Sequence, residues 1–300
     1  AQDAQIQRRA VPCGSGSMVK TLSCPPGTSA SASSNNGERA KEKAREWLRT
    51  RKVCIVAGTM KGGTCTLRRW LQRTAWGDWL SLPRCELHFF DSDEEWSLGP
   101  ARYASWFDWR CSFIGDVTPS YMYLPVATDR LRALVPHARI CLLLRNPIDR
   151  ALSQHNHDLA KGEVRRAEIA DVQLRRRVEL ELQRQRPPDR LDLLRRGFYS
   201  EQLARLWAKF PREQVLVLIS ERFREKPGEQ ASQVRKFFGL PPWREEFSVP
   251  DAHVRENYEI TLSAEDRALL RELYEADVAR LKEMLGDQLH EWKDFADVVL

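Results

Sequence analysis

No window of this 300-residue chain holds the ~18 or more consecutive apolar residues that a membrane-spanning helix needs, so the expectation is a soluble chain. No C-x-x-C spacing occurs among its seven cysteines, which removes the usual zinc-ligand pattern. Their odd number leaves at least one thiol unpaired within the chain. N-x-[ST] acceptor sites, internal repeats and recognisable nucleic-acid-binding motifs are all missing. No signal or transit peptide is visible, and the first residue is Ala1 rather than Met, as in a processed or trimmed product. With 42% hydrophobic and 30% charged residues, 15 Gly and 16 Pro, the composition excludes collagen, a wholly disordered chain and a coiled-coil rod. The excess of positive charge is modest, +6, which suits an anionic ligand or acceptor but fixes no fold.

What is present divides into a tail over residues 1–37 and a folded domain over 38–300. The stretch from Gly14 to Gly37 is mostly Ser, Gly, Pro, Thr, Ala and Asn, too poor in bulky apolar groups to fold alone. It reads as disordered, with Cys13 and Cys24 close enough to pair. A charged helix is expected over 38–50. Residues 53–57 form a short apolar run that reads as a buried strand, followed by a glycine-rich turn over 58–64. Leu67, Trp70 and Leu71 then recur at helical spacing. Further strands are expected at 87–90, 112–115, 140–144 and 215–219, with Cys54 and Cys141 as buried thiols inside apolar runs. Helices are expected up to Pro136, after Asn146-Pro147, over 163–185, over 199–210 and over 263–285. Ser263 and Asp266 give the last of these a capping start. Apolar strands alternating with helices predict a three-layer, P-loop-like α/β fold, with a central, mainly parallel sheet flanked by helices. Ligands of such sheets bind at the carboxyl ends of the strands.

Two segments have the makings of phosphate sites. Gly58-Thr59-Met60-Lys61-Gly62-Gly63-Thr64-Cys65-Thr66 offers backbone N–H groups, a helix start and a mobile cation. Lys61 precedes the glycines, whereas a nucleotide-triphosphatase loop places lysine directly before its hydroxyl residue, which argues against an ATPase or a GTPase; a P-loop kinase stays open as a further enzyme alternative. The plainer reading is a β–α turn with a surface lysine. Arg145 sits at the carboxyl end of the 140–144 strand and Ser153 about two turns into the next helix; a guanidinium fork plus a hydroxyl suits one phosphate monoester. The plainer alternative pairs Arg145 and Arg150 with Asp149.

Together these segments resemble the 5′-phosphosulfate loop and the 3′-phosphate site of sulfotransferases that use 3′-phosphoadenosine 5′-phosphosulfate (PAPS). The resemblance narrows to the carbohydrate, heparan-sulfate-type branch through Glu86-Leu87-His88-Phe89-Phe90-Asp91, Asp116-Val117-Thr118-Pro119-Ser120-Tyr121 and Arg196-Gly197-Phe198-Tyr199, and it spans about residues 51–293. It implies an in-line sulfuryl transfer to a hydroxyl or amine, with no metal. In that scheme Lys61 neutralises the leaving phosphate, and Gly62, Gly63, Thr64, Cys65 and Thr66 line the 5′-phosphate. Arg145 and Ser153 grip the 3′-phosphate, while Tyr199 and Arg255, the latter with Asn257, lie near the donor. Glu86 matches the branch's catalytic base. His88, two residues on along an expected strand and so on the same face, has the better unperturbed pKa and stays open as the alternative.

Some positions depart from the branch. It often has lysine where Cys85 and Val117 stand; its late cysteine pair and basic Lys-Gly-Arg loop are missing. The acceptor is therefore expected to be a glycan or a small hydroxyl or amine compound, with no nucleic acid; a sulfotransferase of a small non-carbohydrate metabolite and a non-catalytic nucleotide-binding module are the alternatives. The branch works in the Golgi lumen, so a secretory-pathway location is implied, with the cytoplasm as the alternative. Residues 161–196 hold 11 basic and 7 acidic residues. That is either a recruiting surface for a polyanion or a solvated helix with i,i+4 pairs such as Arg177 with Glu181. Trp96, Tyr103, Trp106 and Trp109 either stack on an acceptor or cap the core.

Overall fold

Residues 53–57 are apolar without alternation, the pattern of a strand covered on both faces. They form the body of β1 (Lys52–Gly58), in which every residue after Lys52 is buried. The same pattern gives β4 (Arg139–Leu144) and β5 (Val215–Ile219), while β3 (Phe113–Val117) is buried throughout although it contains Gly115 and Asp116. A two-residue strand, β2 (Leu80–Ser81), which has no sequence signature, caps one edge. The sheet runs β2-β3-β1-β4-β5 and every pairing is parallel. The structure, a computed structural model, describes residues 34–74, 79–161, 174–185, 187–189, 191–241 and 260–298. Residues 1–33 with Cys13 and Cys24, the first part of the helix expected over 163–185, and Arg255 with Asn257 lie outside those ranges.

Alternate side chains of the strands feed two cores. Val53, Ile55, Ala57, Ile140, Leu142 and Leu144 face α1 (Ser34–Arg49), α5 (Pro125–Leu134), α6 (Pro147–Lys161), α8 (Tyr199–Lys209) and α11 (Ala264–Leu285). Cys54, Val56, Cys141, Leu143 and Leu218 face α2 (Thr64–Thr74) and α10 (Pro227–Phe238). That is the expected three-layer architecture. After β1 the chain turns through α2 toward β2 on one side; after β4 it turns through α6 toward β5 on the other. The β1–β4 boundary is thus the switch point of the sheet, where a crevice opens at the carboxyl ends. The capping expected at 263 is present, with Ser263 Oγ accepting from the Asp266 N–H at 3.0 Å.

Two expectations fail. Residues 87–90 are not a strand. A strand would send Phe89 and Phe90 to opposite faces, but both are fully buried in one aromatic cluster with Trp96, Tyr103 and Tyr121, and their rings meet edge to face at 5.1 Å. His88 takes a positive φ of 51° to allow this. The freed N–H groups find side chains rather than a ladder: Leu87 donates to Thr118 Oγ1 (3.2 Å) and Phe89 to Tyr121 Oη (3.1 Å). Nor does Arg177 pair with Glu181. On α7 (Leu174–Gln183), Glu181 is buried and accepts the N–H groups of Leu193, Leu194 and Arg195, while Arg177 bonds Asp158 at 2.6 Å. Three backbone N–H donors, two of them buried, outcompete a surface ion pair for one carboxylate.

Candidate active site

The loop after β1 is tied down from its first residue. Thr59 donates both its N–H (3.0 Å) and its hydroxyl (3.1 Å) to the Leu143 carbonyl of β4. Lys61 and Gly63 have φ of 67° and 103°, conformations that turn the chain sharply back into α2. A Cβ on Gly62 would lie 2.3 Å from the Leu143 carbonyl oxygen, so that position admits glycine alone. The Gly62 N–H, expected to face a phosphate, instead donates to the Thr59 carbonyl at 2.9 Å and shapes the loop. The N–H groups of Gly63, Thr64 and Cys65 have no acceptor among the described residues and open at the start of α2. Thr64 is buried there, Thr66 half-buried and Cys65 exposed. Free N–H groups at a helix start, in a cradle only glycine can form, fit an anionic phosphate.

The loop after β4 meets this one. Arg145 Nη1 donates to the Lys61 carbonyl at 3.4 Å, so the two sequence-distant segments share one crevice. Its base is a clamp on Asn146. The Asn146 N–H donates to Glu221 Oε1 (3.1 Å), its amide nitrogen to Asp294 Oδ2 (2.7 Å), and its Oδ1 caps α6 by accepting from Ile148 N–H (3.0 Å). Trp292 Nε1 holds the other oxygen of Glu221 (3.2 Å), and Arg267 bridges Asp294 and Asp149. Asp149 therefore pairs with Arg267, not with Arg145 or Arg150. Arg150 is buried and donates to Gln154 Oε1 and the Leu193 carbonyl. Ser153 is buried on the same helix. Tyr199 is also buried; its hydroxyl donates to the Arg145 carbonyl at 2.9 Å, and burial pushes its pKa up to about 12.

Glu86 and His88 converge, but by way of the turn rather than a strand. The imidazole lies between two carboxylates: Nδ1 is 2.9 Å from Asp91 Oδ2, and Nε2 is 3.3 Å from Glu86 Oε2. Asp91 is inaccessible, whereas Glu86 and His88 are each about one-third exposed (33% and 32%), so the carboxylate that meets solvent is Glu86. Beneath them Asp116, fully buried at the end of β3, accepts from Thr118 Oγ1 (2.7 Å) and Tyr121 Oη (2.8 Å), whose oxygens also receive the Leu87 and Phe89 N–H groups. Burial raises Asp116 to about 7, against the pull of those two hydrogen bonds. Asp91 and Asp116 both lie within motifs quoted above, but their positioning of His88 and of the 86–90 turn has no sequence signal. The aromatics divide. Tyr103 is buried and Trp96 packs on Phe89, which makes them core; Trp106 lies under Arg102; Trp109 is 73% exposed. Among the described residues no cluster of three or more His, Cys, Asp or Glu side chains is placed to hold a metal ion, and no helix is long and apolar enough to cross a membrane.

Residues 51–256, more than half of the chain, match the family model described as Sulfotransferase domain. A membrane-associated sulfotransferase, kil1, of Dictyostelium discoideum is 33% identical over 140 residues, covering 42% of this chain and 29% of that protein. The bifunctional heparan sulfate N-deacetylase/N-sulfotransferase 2 of Bos taurus is 29% identical over 135 residues, 44% of this chain and 15% of its own. Heparan sulfate glucosamine 3-O-sulfotransferase 5 of Homo sapiens is 23% identical over 210 residues, 69% and 59% respectively. The chain thus spans between about a seventh and three-fifths of the length of these curated relatives. A solved sulfotransferase from Alicyclobacillus acidocaldarius superposes with a TM-score of 0.65 at 25% identity, over 80% of this chain and 98% of that one. The match over residues 51–256, which carry the parallel sheet and both loops of the crevice at its switch point, places the chain in the sulfotransferase domain family.

Proposed function

We propose that the chain transfers a sulfuryl group from PAPS to a hydroxyl or amine of a carbohydrate-like acceptor. The observation that carries this reading is the contact of Arg145 with the Lys61 carbonyl, which brings a phosphate cradle and a guanidinium fork to the same crevice. The N–H groups of Gly63, Thr64 and Cys65, with the Thr64 and Thr66 hydroxyls, hold the 5′-phosphate; Arg145 and Ser153 take the 3′-phosphate. Tyr199 acts from beneath by holding the Arg145 carbonyl. Glu86 accepts the proton as the acceptor heteroatom forms its bond to sulfur. The bond from sulfur to the bridging oxygen breaks, and Lys61 neutralises the charge left on the departing phosphate. Asp91 fixes the His88 ring, and His88 fixes Glu86. Such a reaction runs on positioning and preorganised charge. A secretory-pathway location belongs to the same proposal and is carried by the family resemblance.

Calorimetric titration tests the donor. Adenosine 3′,5′-bisphosphate is expected to bind at least tenfold more tightly than ATP, and Arg145→Ala to remove that preference, since a charge-assisted bidentate contact is lost. Equal affinity for the two nucleotides would sink the assignment.

A further inference from the structure

α8 opens after a residue that cannot cap it: Phe198 precedes Tyr199, and its side chain offers no acceptor. The acceptor comes from α11 instead. Asp277, buried 78 residues on, takes the Tyr199 N–H on Oδ2 at 2.7 Å, and the Ser200 N–H (3.2 Å) and Ser200 hydroxyl on Oδ1. A carboxylate there meets the positive end of the α8 dipole as well as its first N–H groups. Burial raises the Asp277 pKa, and the hydrogen bonds from Ser200 and Tyr199 act against that rise. The same helix holds the turn before α8. Tyr274, also buried, donates its hydroxyl to the Leu194 carbonyl at 2.9 Å, and its ring lies 5.1 Å from that of Phe198. A Cβ on Gly197 would come within 2.6 Å of Tyr274 Oη, so glycine lets the turn lie against α11. Tyr274 and Asp277 are three residues apart and share one face of that helix, which grips residues 194–200.

Tyr199 is where this grip meets the crevice. Asp277 holds its main chain, and its hydroxyl donates to the Arg145 carbonyl at 2.9 Å. Arg145 in turn reaches the Lys61 carbonyl. Tyr199 and Asp277 are both buried, and close-packed interiors pass a displacement on rather than absorb it. The loop after β1 is anchored separately, by the two hydrogen bonds of Thr59 to the Leu143 carbonyl.

We propose that Asp277 is a positioning residue for the 3′-phosphate: by capping α8 it fixes Tyr199, and through the Tyr199 hydroxyl it fixes the backbone from which Arg145 extends. The proposal rests on the donor reading given above. Because the cradle assigned to the 5′-phosphate has its own anchor, the loss of Asp277 is felt at the 3′-phosphate.

The test titrates adenosine 3′,5′-bisphosphate and adenosine 5′-monophosphate, which differ only in the 3′-phosphate, into the whole chain by calorimetry, below the unfolding temperature of each variant. Wild type is expected to prefer the bisphosphate. Asp277→Asn is expected to lower bisphosphate affinity about tenfold and monophosphate affinity less than about twofold. Ser200→Ala takes another hydrogen bond from the same carboxylate without reaching Tyr199; it is expected to lower stability and to leave the ratio of the two affinities unchanged. Equal losses for both nucleotides in Asp277→Asn would reduce the residue to a support of the fold and overturn the proposal. So would a ratio shifted as far by Ser200→Ala. Tyr199→Phe leaves the cap intact and removes only the hydroxyl. It is expected to shift the ratio by about the same factor as Asp277→Asn, and the double variant to shift it no further. A ratio kept in Tyr199→Phe overturns the relay even where Asp277→Asn fails to fold, and so do two losses that multiply. Equal wild-type affinity for the two nucleotides would bring down the donor reading and this inference with it; a wild-type preference that Asp277→Asn keeps would bring down this inference alone.

Discussion

Glu86 reaches solvent with its carboxylate 3.3 Å from an imidazole that a buried aspartate holds from the other side. A base in that position needs an anchored orientation more than a free rotor, because proton transfer demands hydrogen-bond geometry at the moment of reaction. Replacing it by glutamine keeps the shape and removes the proton acceptor that the proposed mechanism requires. Glu86→Gln is therefore expected to lower turnover by a factor of ~10²–10⁴, measured in single turnover, with the affinity for adenosine 3′,5′-bisphosphate unchanged. Full activity in that variant would transfer the role to His88. Asp91→Asn, one step further back, is expected to lower turnover less and to change its pH profile, because the ring loses the carboxylate that fixes its orientation at Nδ1.

At the scale of elements, the crevice proposed to hold phosphate is braced by segments outside its two loops. Glu221 at the start of α9 (Ser220–Glu225) and Asp294 in the C-terminal turn both grip Asn146, the residue after Arg145. Glu221→Gln and Asp294→Asn are each expected to weaken adenosine 3′,5′-bisphosphate binding by about threefold to thirtyfold, measured by calorimetry, since each removes the charge that strengthens a hydrogen bond to Asn146, and the second also breaks the Arg267 ion pair. The double variant is expected to lose less than the product of the two, because both act through one side chain. Unchanged affinity in both single variants would separate the clamp from the site. This clamp was not legible in the sequence: its partners lie 75 and 148 residues from Asn146, and a single chain carries no record of such pairing. The strands around it were legible, because the runs at 53–57, 140–144 and 215–219 are apolar on both faces and bounded by breakers. The glycine run itself was legible, but not the Leu143 carbonyl of β4, 84 residues on, that ties the loop down. Residues 87–90 misled for the converse reason: their composition suits a strand, while the aromatic cluster that receives Phe89 and Phe90 is assembled from residues up to 121. β2, with two residues, has no period to read.

Across the whole molecule, two buried titratable groups impose opposite pH dependences on stability. Asp116 is raised to about 7 by burial, so its contribution is fully present below its unfolded value, about 4, and is lost as the pH rises through 7. His155, on α6 inside the fold, is fully buried, and neither ring nitrogen has a hydrogen-bond partner among the described residues. Burial first, and the charge of Arg177 second, lower its pKa from 6.5 to about 4. Between those values the unfolded chain takes up a proton that the folded chain refuses. The contribution of His155 is thus whole above 6.5 and drains away as the pH falls toward 4, by up to about 3 kcal/mol at ~1.4 kcal/mol per unit. In the wild type the two slopes partly cancel between pH 4 and 6.5. His155→Phe keeps the ring volume and removes this titration, while the Asp116 slope stays. Its stability relative to wild type, measured by denaturant unfolding across that range, is expected to grow steadily as the solution is acidified and to be flat above pH 7. A difference that stays constant from pH 4 to 8 would mean that the His155 ring exchanges its proton in the folded protein as freely as in the unfolded chain, through water that reaches the core beside α6.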